Sequence, residues 1–452
     1  MARYNFQWTK VLVWACTVCA VLALFLLGLA RMWCQSESDE EPSFTIDSEE
    51  ISGTESVPVI EFELWKKKKF ARLPNTFWQS HLSGDAFWNK HQAVIDYHFN
   101  PLLSHHDGDI DVDSPFYESL LPQSFSEVSE FVGTMQLPEM LQDFVSSMHR
   151  RDYSTLIQPN GLCGAGATDE KEAPLLLLAI KSTDLHFENR QAIRETWGQA
   201  GWVSGQNRKR KGSGGYVRRI FLMASNGQPP SSELLAESEL YGDILQWDFK
   251  DTFFNLSLKD VLLWKWFSRY CSKTRFVFKG DDDVFVNTVK TITYLRDQLQ
   301  RPQAEKSMKT FMVGYVIGGT SPIRDDSSKY FIPENFYTGV FPAYPCGGGF
   351  LYSGVLAKRL YQVSKRVHLF PIDDAFVGMC MIRLNIFPIH HPAFLIYGFP
   401  GKDEEAMCSY HTMLMIHKRS PSEMTDLWAR VRKTEEECWD APLRNVYIAQ
   451  HL

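Results

Sequence analysis

Between Ala173 and Lys279 the chain alternates short, continuously apolar runs with segments of helical periodicity. "APLLLLAIKS", Ala173 to Ser182, is apolar on both faces of any extended backbone, which fits a strand buried on both sides of a sheet. "RQAIRETWG" follows as a short helix closed by Gly198. "YVRRIFLMAS", "DILQWDF" and "RFVFK" read as further strands, with "SSELLAESELYG" and "LSLKDVLLWKWFSRYC" as helices between them. This pattern predicts an α/β fold around a mainly parallel sheet. In open sheets of that kind, ligands bind beyond the carboxyl ends of the strands.

At one such end stand three consecutive carboxylates, Asp281, Asp282 and Asp283, in "FVFKGDDDVFVN". Adjacent carboxylates repel and lose solvation on burial, so a cation is expected against them. Three readings fit the residues alone. Oxygen ligands could hold Mn²⁺ or Mg²⁺ against a diphosphate. The run could be an acidic turn capping the helix predicted in "VNTVKTITYLRDQL". Asp281 could also be a phosphoryl-accepting nucleophile. Downstream, "YPCGGGFLYSG" sets Gly347, Gly348 and Gly349 in a row, which permits close backbone approach to a ligand. "HLFPIDDAFVGMC" places Asp373 and Asp374 at the start of a helix, where they either favour the helix dipole or supply a general base.

Composition limits the rest. The chain has 452 residues, 44% of them apolar, and a formal net charge of −7, which gives no electrostatic case for nucleic-acid binding. Val11 to Ala30 carries no charge and has the length of a bilayer-spanning helix. Arg3 and Lys10 precede it, and an acidic stretch follows, so residues 1–10 are expected to be cytosolic and the main body to lie across the membrane. Residues 31–73 read as a solvated stem, 74–165 as an extension packed on the main domain, 166–438 as that domain, and 439–452 as a tail. "NRKRKGSGG", Asn207 to Gly215, reads as a surface loop. Cys163, Cys271, Cys346, Cys380, Cys408 and Cys438 are scattered without metal-like spacing, which reads as disulfides in an oxidising compartment. Cys34 is the odd cysteine and could link two copies. "NLS" at Asn255 is an N-glycosylation acceptor pattern.

Five stretches in order, "RQAIRETWG", "DTFFNLSLKDVLLWKW", "FVFKGDDDVFVN", "GGGFLYSG" and "PIDDAFVGMC", resemble the β-1,3-glycosyltransferases of the Golgi, in particular the β-1,3-N-acetylglucosaminyltransferases. The similarity runs from about Phe77 to Cys438. It implies a GT-A type, Rossmann-like nucleotide-sugar transferase domain behind an N-terminal transmembrane helix and stem, in a single-pass Golgi membrane protein. It further implies a UDP-GlcNAc donor, Mn²⁺ or Mg²⁺, a galactose-terminated glycan acceptor and inversion at the anomeric carbon.

Carried over residue by residue, the resemblance makes Asp283 a metal ligand beside Asp281, with His417 of "MLMIHKRSP" as a second ligand. On the residues alone, His417 would be a core or edge residue. Ile180, Lys181, Lys279, Asp281 and Asp282 become donor contacts. Arg190 and Arg194, spaced to share a helix face, become phosphate grips, against the alternative of a salt-bridged pair. Asp374 becomes the catalytic base with Asp373 beside it, and Gly347 to Gly349 line the sugar or acceptor side. A β-1,3-galactosyltransferase, a catalytically silent partner of other transferases and a hydrolase are the competing expectations. Association with a second copy or with another transferase stays open.

Overall fold

In a computed structural model of the chain, the described residues are 84–99, 138–159, 163–206 and 213–445. All belong to the unit Phe62–Leu452, and none to the unit Met1–Glu61. The expected anchor Val11–Ala30, the stem, most of the loop at Asn207 and the tail beyond residue 445 lie outside them. No helix among the described residues is long and apolar enough to cross a membrane.

The helices are α1 (Phe87–Phe99), α2 (Glu139–Ser147), α3 (Phe187–Glu195), α4 (Ser232–Tyr241), α5 (Leu256–Tyr270), α6 (Thr288–Gln300), α7 (Ala304–Met308), α8 (Gly354–Ser364), α9 (Asp373–Ile382) and α10 (Pro421–Lys433). The first six strands are β1 (Thr155–Ile157), β2 (Leu176–Lys181), β3 (Gly201–Val203), β4 (Gly215–Ala224), β5 (Ile244–Trp247) and β6 (Phe276–Asp281). After them come β7 (Phe285–Val286), β8 (Met312–Ile317), β9 (Tyr344–Ser353), β10 (Ile389–His390), β11 (Phe394–Leu395) and β12 (Met415–Ile416).

The central sheet runs β1-β5-β4-β2-β6-β9-β8-β10, with β3 on the side of β4. The protein is thus a mixed α/β structure. Strands β5, β4, β2 and β6 are parallel, as the alternating sequence predicts, but β9 pairs antiparallel with both β6 and β8. The expected mainly parallel sheet is therefore half antiparallel in its pairings. Strand β1 joins at the β5 edge from within the segment expected to be an extension.

Strand β2 shows why its sequence is apolar throughout. Leu177 and Ala179 point into one layer with α5, α8 and α9, while Leu176, Leu178 and Ile180 point into the other. All five are fully buried. Side chains two apart share a face, so two covered faces require an unbroken apolar run. The helix α1 docks on the first layer. Trp88 donates its indole N–H to the Leu369 carbonyl, and Asp96 pairs with Arg383, both side chains wholly buried.

Among the described residues two disulfides form, Cys163–Cys271 and Cys408–Cys438. Cys346 and Cys380, expected as partners in bridges, are free and buried. They lie in different apolar layers, on opposite faces of the sheet, which keeps them from bonding each other.

Candidate functional site

The parallel register brings Lys181, at the end of β2, beside Asp281, at the end of β6. Lys181 Nζ stands 2.9 Å from Asp281 Oδ1 and 2.9 Å from Asp373 Oδ2. Antiparallel pairing of β9 with β6 sets Gly349 opposite Gly280, so the glycine run reaches the same sheet edge. The amino end of α9 supplies Asp373 and Asp374 there. Four separate segments thus converge beyond the carboxyl ends of the parallel strands, the position the topology favours for a ligand.

His417 arrives by a different route. A small sheet of β11, β12 and β7 places Ile416 opposite Phe285. The turn after β12 is fixed by the Arg419 amide donating to the Asp283 carbonyl at 2.7 Å. His417 Nε2 then lies 3.3 Å from Asp283 Oδ1. One ligand atom each from Asp281, Asp283 and His417 falls within 4.8 Å of the others. Asp283 Oδ1 is itself buried without a hydrogen bond. Burial alone would raise the Asp283 pKa, yet His417, a backbone hydrogen bond and the Lys181 charge together hold the carboxylate below its ordinary value. Two carboxylates and one imidazole with their ligand atoms this close fit a divalent cation of the Mg²⁺ or Mn²⁺ kind.

The glycines make room for this cluster. Gly347 and Gly348 have φ of +78° and +81°, where side chains other than glycine are strained. A Cβ on Gly348 would lie 2.6 Å from His417 Cδ2 and 2.9 Å from Val284 Cγ1. Gly348→Ala is therefore expected to push His417 away from Asp283. Strain of about 1–3 kcal/mol, if it falls wholly on the reactive geometry, corresponds to a roughly 5- to 150-fold loss of activity. Turnover measured across a Mn²⁺ titration checks it, and a variant as active as wild type at every concentration would contradict the packing argument.

A buried chain of alternating charge supports the other side of the site. Lys279 Nζ bonds Asp260 Oδ2 at 2.7 Å and Asp373 Oδ2 at 3.2 Å, and Lys181 completes the path to Asp281. Burial would raise Asp373, but Lys181 and Lys279 outweigh it and keep Asp373 ionised. Asp374 is pushed the other way, first by burial and then by the charge of Asp373. Two neighbouring carboxyls with pKa values driven apart are an arrangement suited to acid–base work. Asp260 and Lys259 are charged residues directly before the apolar run Val261 to Trp264 of α5, and that placement is the sequence signal that could have found them. Lys259 pairs with Asp251 and donates to the Ser182 carbonyl. His186 bonds Asp282 at 2.9 Å and was likewise not singled out.

Several expected donor contacts are used elsewhere. Arg190 meets Glu237 through two nitrogens at 2.7 and 2.6 Å. Arg194 bonds Asp243 and Glu237. Both guanidiniums are buried by these carboxylates and pin α3 to its neighbours, so they are not phosphate grips. Lys279 is buried between Asp260 and Asp373 and is a positioning residue. Ile180 is fully buried in the apolar layer and offers no side chain to a ligand. Asn255 is buried too, and its amide donates to the Lys250 carbonyl at 2.8 Å, so the folded protein does not present it as a glycan acceptor.

The galactosyltransferase family matches residues 188–392, a span that holds the aspartate run, the glycine run and Asp373–Asp374. The chain is 39% identical over 371 residues to human N-acetyllactosaminide β-1,3-N-acetylglucosaminyltransferase 2, covering 80% of this chain and 88% of that protein. This chain belongs to the β-1,3-N-acetylglucosaminyltransferase family. The mouse form of the same protein is 40% identical over 375 residues, again covering 80% of this chain and 88% of its own length. Human N-acetyllactosaminide β-1,3-N-acetylglucosaminyltransferase 4 is 37% identical over 315 residues, covering 69% of this chain and 77% of its own. A β-1,3-N-acetylglucosaminyltransferase is an enzyme of two substrates, a sugar donor and a glycan acceptor, and the site above has one charged cluster for each end of such a reaction.

Proposed function

We propose that this chain transfers N-acetylglucosamine from UDP-GlcNAc, with inversion, in β-1,3 linkage to a terminal galactose, extending poly-N-acetyllactosamine chains. The observation that carries this reading is the pairing of two clusters at one sheet edge. Asp281, Asp283 and His417 suit a metal diphosphate, and Asp374 stands beside an ionised Asp373 held by Lys181 and Lys279. The domain is assigned a GT-A type architecture. Val11–Ala30 is assigned as a Golgi membrane anchor with the catalytic body in the lumen.

Asp281, Asp283 and His417 would hold Mn²⁺ or Mg²⁺, which offsets the charge that grows on the departing UDP. Asp374 accepts the proton of the acceptor hydroxyl as that oxygen attacks the anomeric carbon from the face opposite the leaving group. Asp373 stays ionised and raises the proton affinity of Asp374. Lys181 links the two halves, since one ammonium touches both Asp281 and Asp373. Backbone amides of the glycine run line the sugar or acceptor side.

A base must be deprotonated to work, and the Asp374 pKa lies above the ordinary carboxyl value of 3.8. Activity should therefore rise with pH through the shifted value and fall below it. The kcat profile should have its acid limb above the ordinary carboxylate range, and a limb near 3.8 would contradict the assignment.

Assay of the full chain with Mn²⁺, N-acetyllactosamine and either UDP-GlcNAc or UDP-Gal tests the reading. Acceptor-dependent release of UDP from UDP-GlcNAc is expected. The match to the galactosyltransferase family keeps UDP-Gal as the second donor to test, and preference for it would make this a β-1,3-galactosyltransferase. UDP release from neither donor in a folded protein would sink the transferase reading.

A further inference from the structure

A cleft of about 1020 Å³ is formed between the end of α3, strand β3, the start of α6 and the segment from α10 to Trp439. None of the residues of the two charged clusters lines it. Four tryptophans do: Trp197, which is buried, and Trp202, Trp428 and Trp439. Trp202 is 50% exposed and Trp439 is 56% exposed. Indole surface left open to that extent is unusual for residues that contribute so strongly to burial and marks a binding surface when several occur together.

The tryptophans are held in place before any ligand arrives. Trp202 packs so closely on Gly214 that a Cβ there would lie 2.7 Å from its ring, and Tyr216 meets it edge-on at 5.0 Å. Trp439 follows Cys438, which is bridged to Cys408. The Gln206 side chain donates to the Trp439 carbonyl, which ties β3 to this segment. Gln199 and Gln206 place amides along the wall, whereas the buried amide of Asn287 is taken up by the Tyr410 carbonyl and the Lys290 N–H. Three cationic side chains there, among them Lys290, are offset by the three carboxylates of Glu435 to Glu437. Neither sign dominates, so the cleft is matched to a neutral ligand rich in hydroxyl groups.

We propose that this cleft is a second, non-catalytic glycan-binding site that takes neutral oligosaccharide. A pyranose ring has one face of C–H groups, which lies on an indole, and a rim of hydroxyls, which pairs with amides and charged side chains. The volume suits a chain of several sugars. The choice of galactose and N-acetylglucosamine repeats as the occupant rests on the transferase reading above. An enzyme that lengthens such a chain would keep hold of an inner stretch while the outer end is extended, and its apparent affinity would grow with chain length.

The test is calorimetric titration of the full chain in detergent, without UDP-GlcNAc, using an N-acetyllactosamine hexasaccharide. Wild type and Asp374→Asn should bind it equally. Trp202→Ala with Trp439→Ala should weaken binding about tenfold. Trp202→Phe with Trp439→Phe should keep most of the affinity because aromatic faces remain. Turnover of a disaccharide acceptor should be unchanged in both tryptophan variants. Unchanged hexasaccharide affinity in the alanine variant overturns the proposal, as does no binding by wild type. Parallel loss of disaccharide turnover overturns it as well, since the cleft would then be part of the catalytic acceptor groove. Failure of the transferase reading would show instead as no turnover with any donor.

Discussion

Replacing Asp374 with asparagine is expected to lower kcat on the order of 10²- to 10⁴-fold, with UDP-GlcNAc affinity nearly unchanged. The amide has the shape of the carboxyl but cannot take a proton from an attacking hydroxyl. Asp374 is not among the ligand atoms of the Asp281, Asp283 and His417 cluster that the donor diphosphate would use. A loss confined to kcat therefore separates the base from the donor site. The pH profile adds a second readout, because the acid limb set by the raised Asp374 pKa should vanish with the carboxyl. Retained kcat would move the base to Asp373. That is chemically harder, since Lys181 and Lys279 hold Asp373 in its ionised form and make it a weak proton acceptor.

Lys279 shows how a residue can be essential to such a site without touching substrate. It is buried against the Phe350 ring at 4.8 Å and divides its charge between Asp260 and Asp373. Asp260 is raised to about 6, first by burial, with Lys279 opposing the rise. The energetic weight of this chain lies in keeping an anion at Asp373 despite its burial, because one removed partner leaves an uncompensated buried charge.

The sheet and the charged clusters were unequally legible in the amino-acid sequence. The unbroken apolar run at β2 announced a strand covered on both faces, and the aspartate run marked a strand end by its position alone. Strand β9 was harder to read, because its glycines signalled close backbone approach and not a strand, while the structure sets Gly349 in antiparallel register with β6. His417 had no local signal. A histidine after a two-residue strand acquires a role only when β12 pairs with β7, and the family resemblance supplied that placement.

The two arginines failed for the opposite reason. Their spacing on one helix face was read correctly, but their partners Glu237 and Asp243 stand 47 and 49 positions further on. Helical spacing states which side chains lie together and is silent on what the tertiary fold sets against them. Cys346 and Cys380 fail similarly. Their even count with the other cysteines suggested bridges, whereas the sheet separates them.

The second large effect is expected at Asp283. Asparagine there keeps the shape and the link from the Asp283 carbonyl to the Arg419 amide, and removes one charge facing the ion. A unit charge about 4 Å away at a near-surface effective dielectric contributes about 4 kcal/mol, or about a thousandfold in affinity. Asp283→Asn should thus require far more Mn²⁺ for activity, and UDP binding measured by calorimetry should lose its dependence on Mn²⁺ at concentrations that saturate wild type. His417→Ala should act in the same direction but less strongly, because it removes a neutral ligand rather than a charge. Either variant also loses the 3.3 Å contact of Asp283 with His417, so unfolding should be followed alongside. Chelation of the wild-type protein gives the control: it should abolish Mn²⁺-dependent UDP binding without lowering the unfolding temperature much, since the disulfides and the two apolar layers hold the fold independently of that cluster. Equal UDP affinity with and without Mn²⁺ in wild type would remove the metal from the site and leave Lys181 as the cation that balances the aspartates.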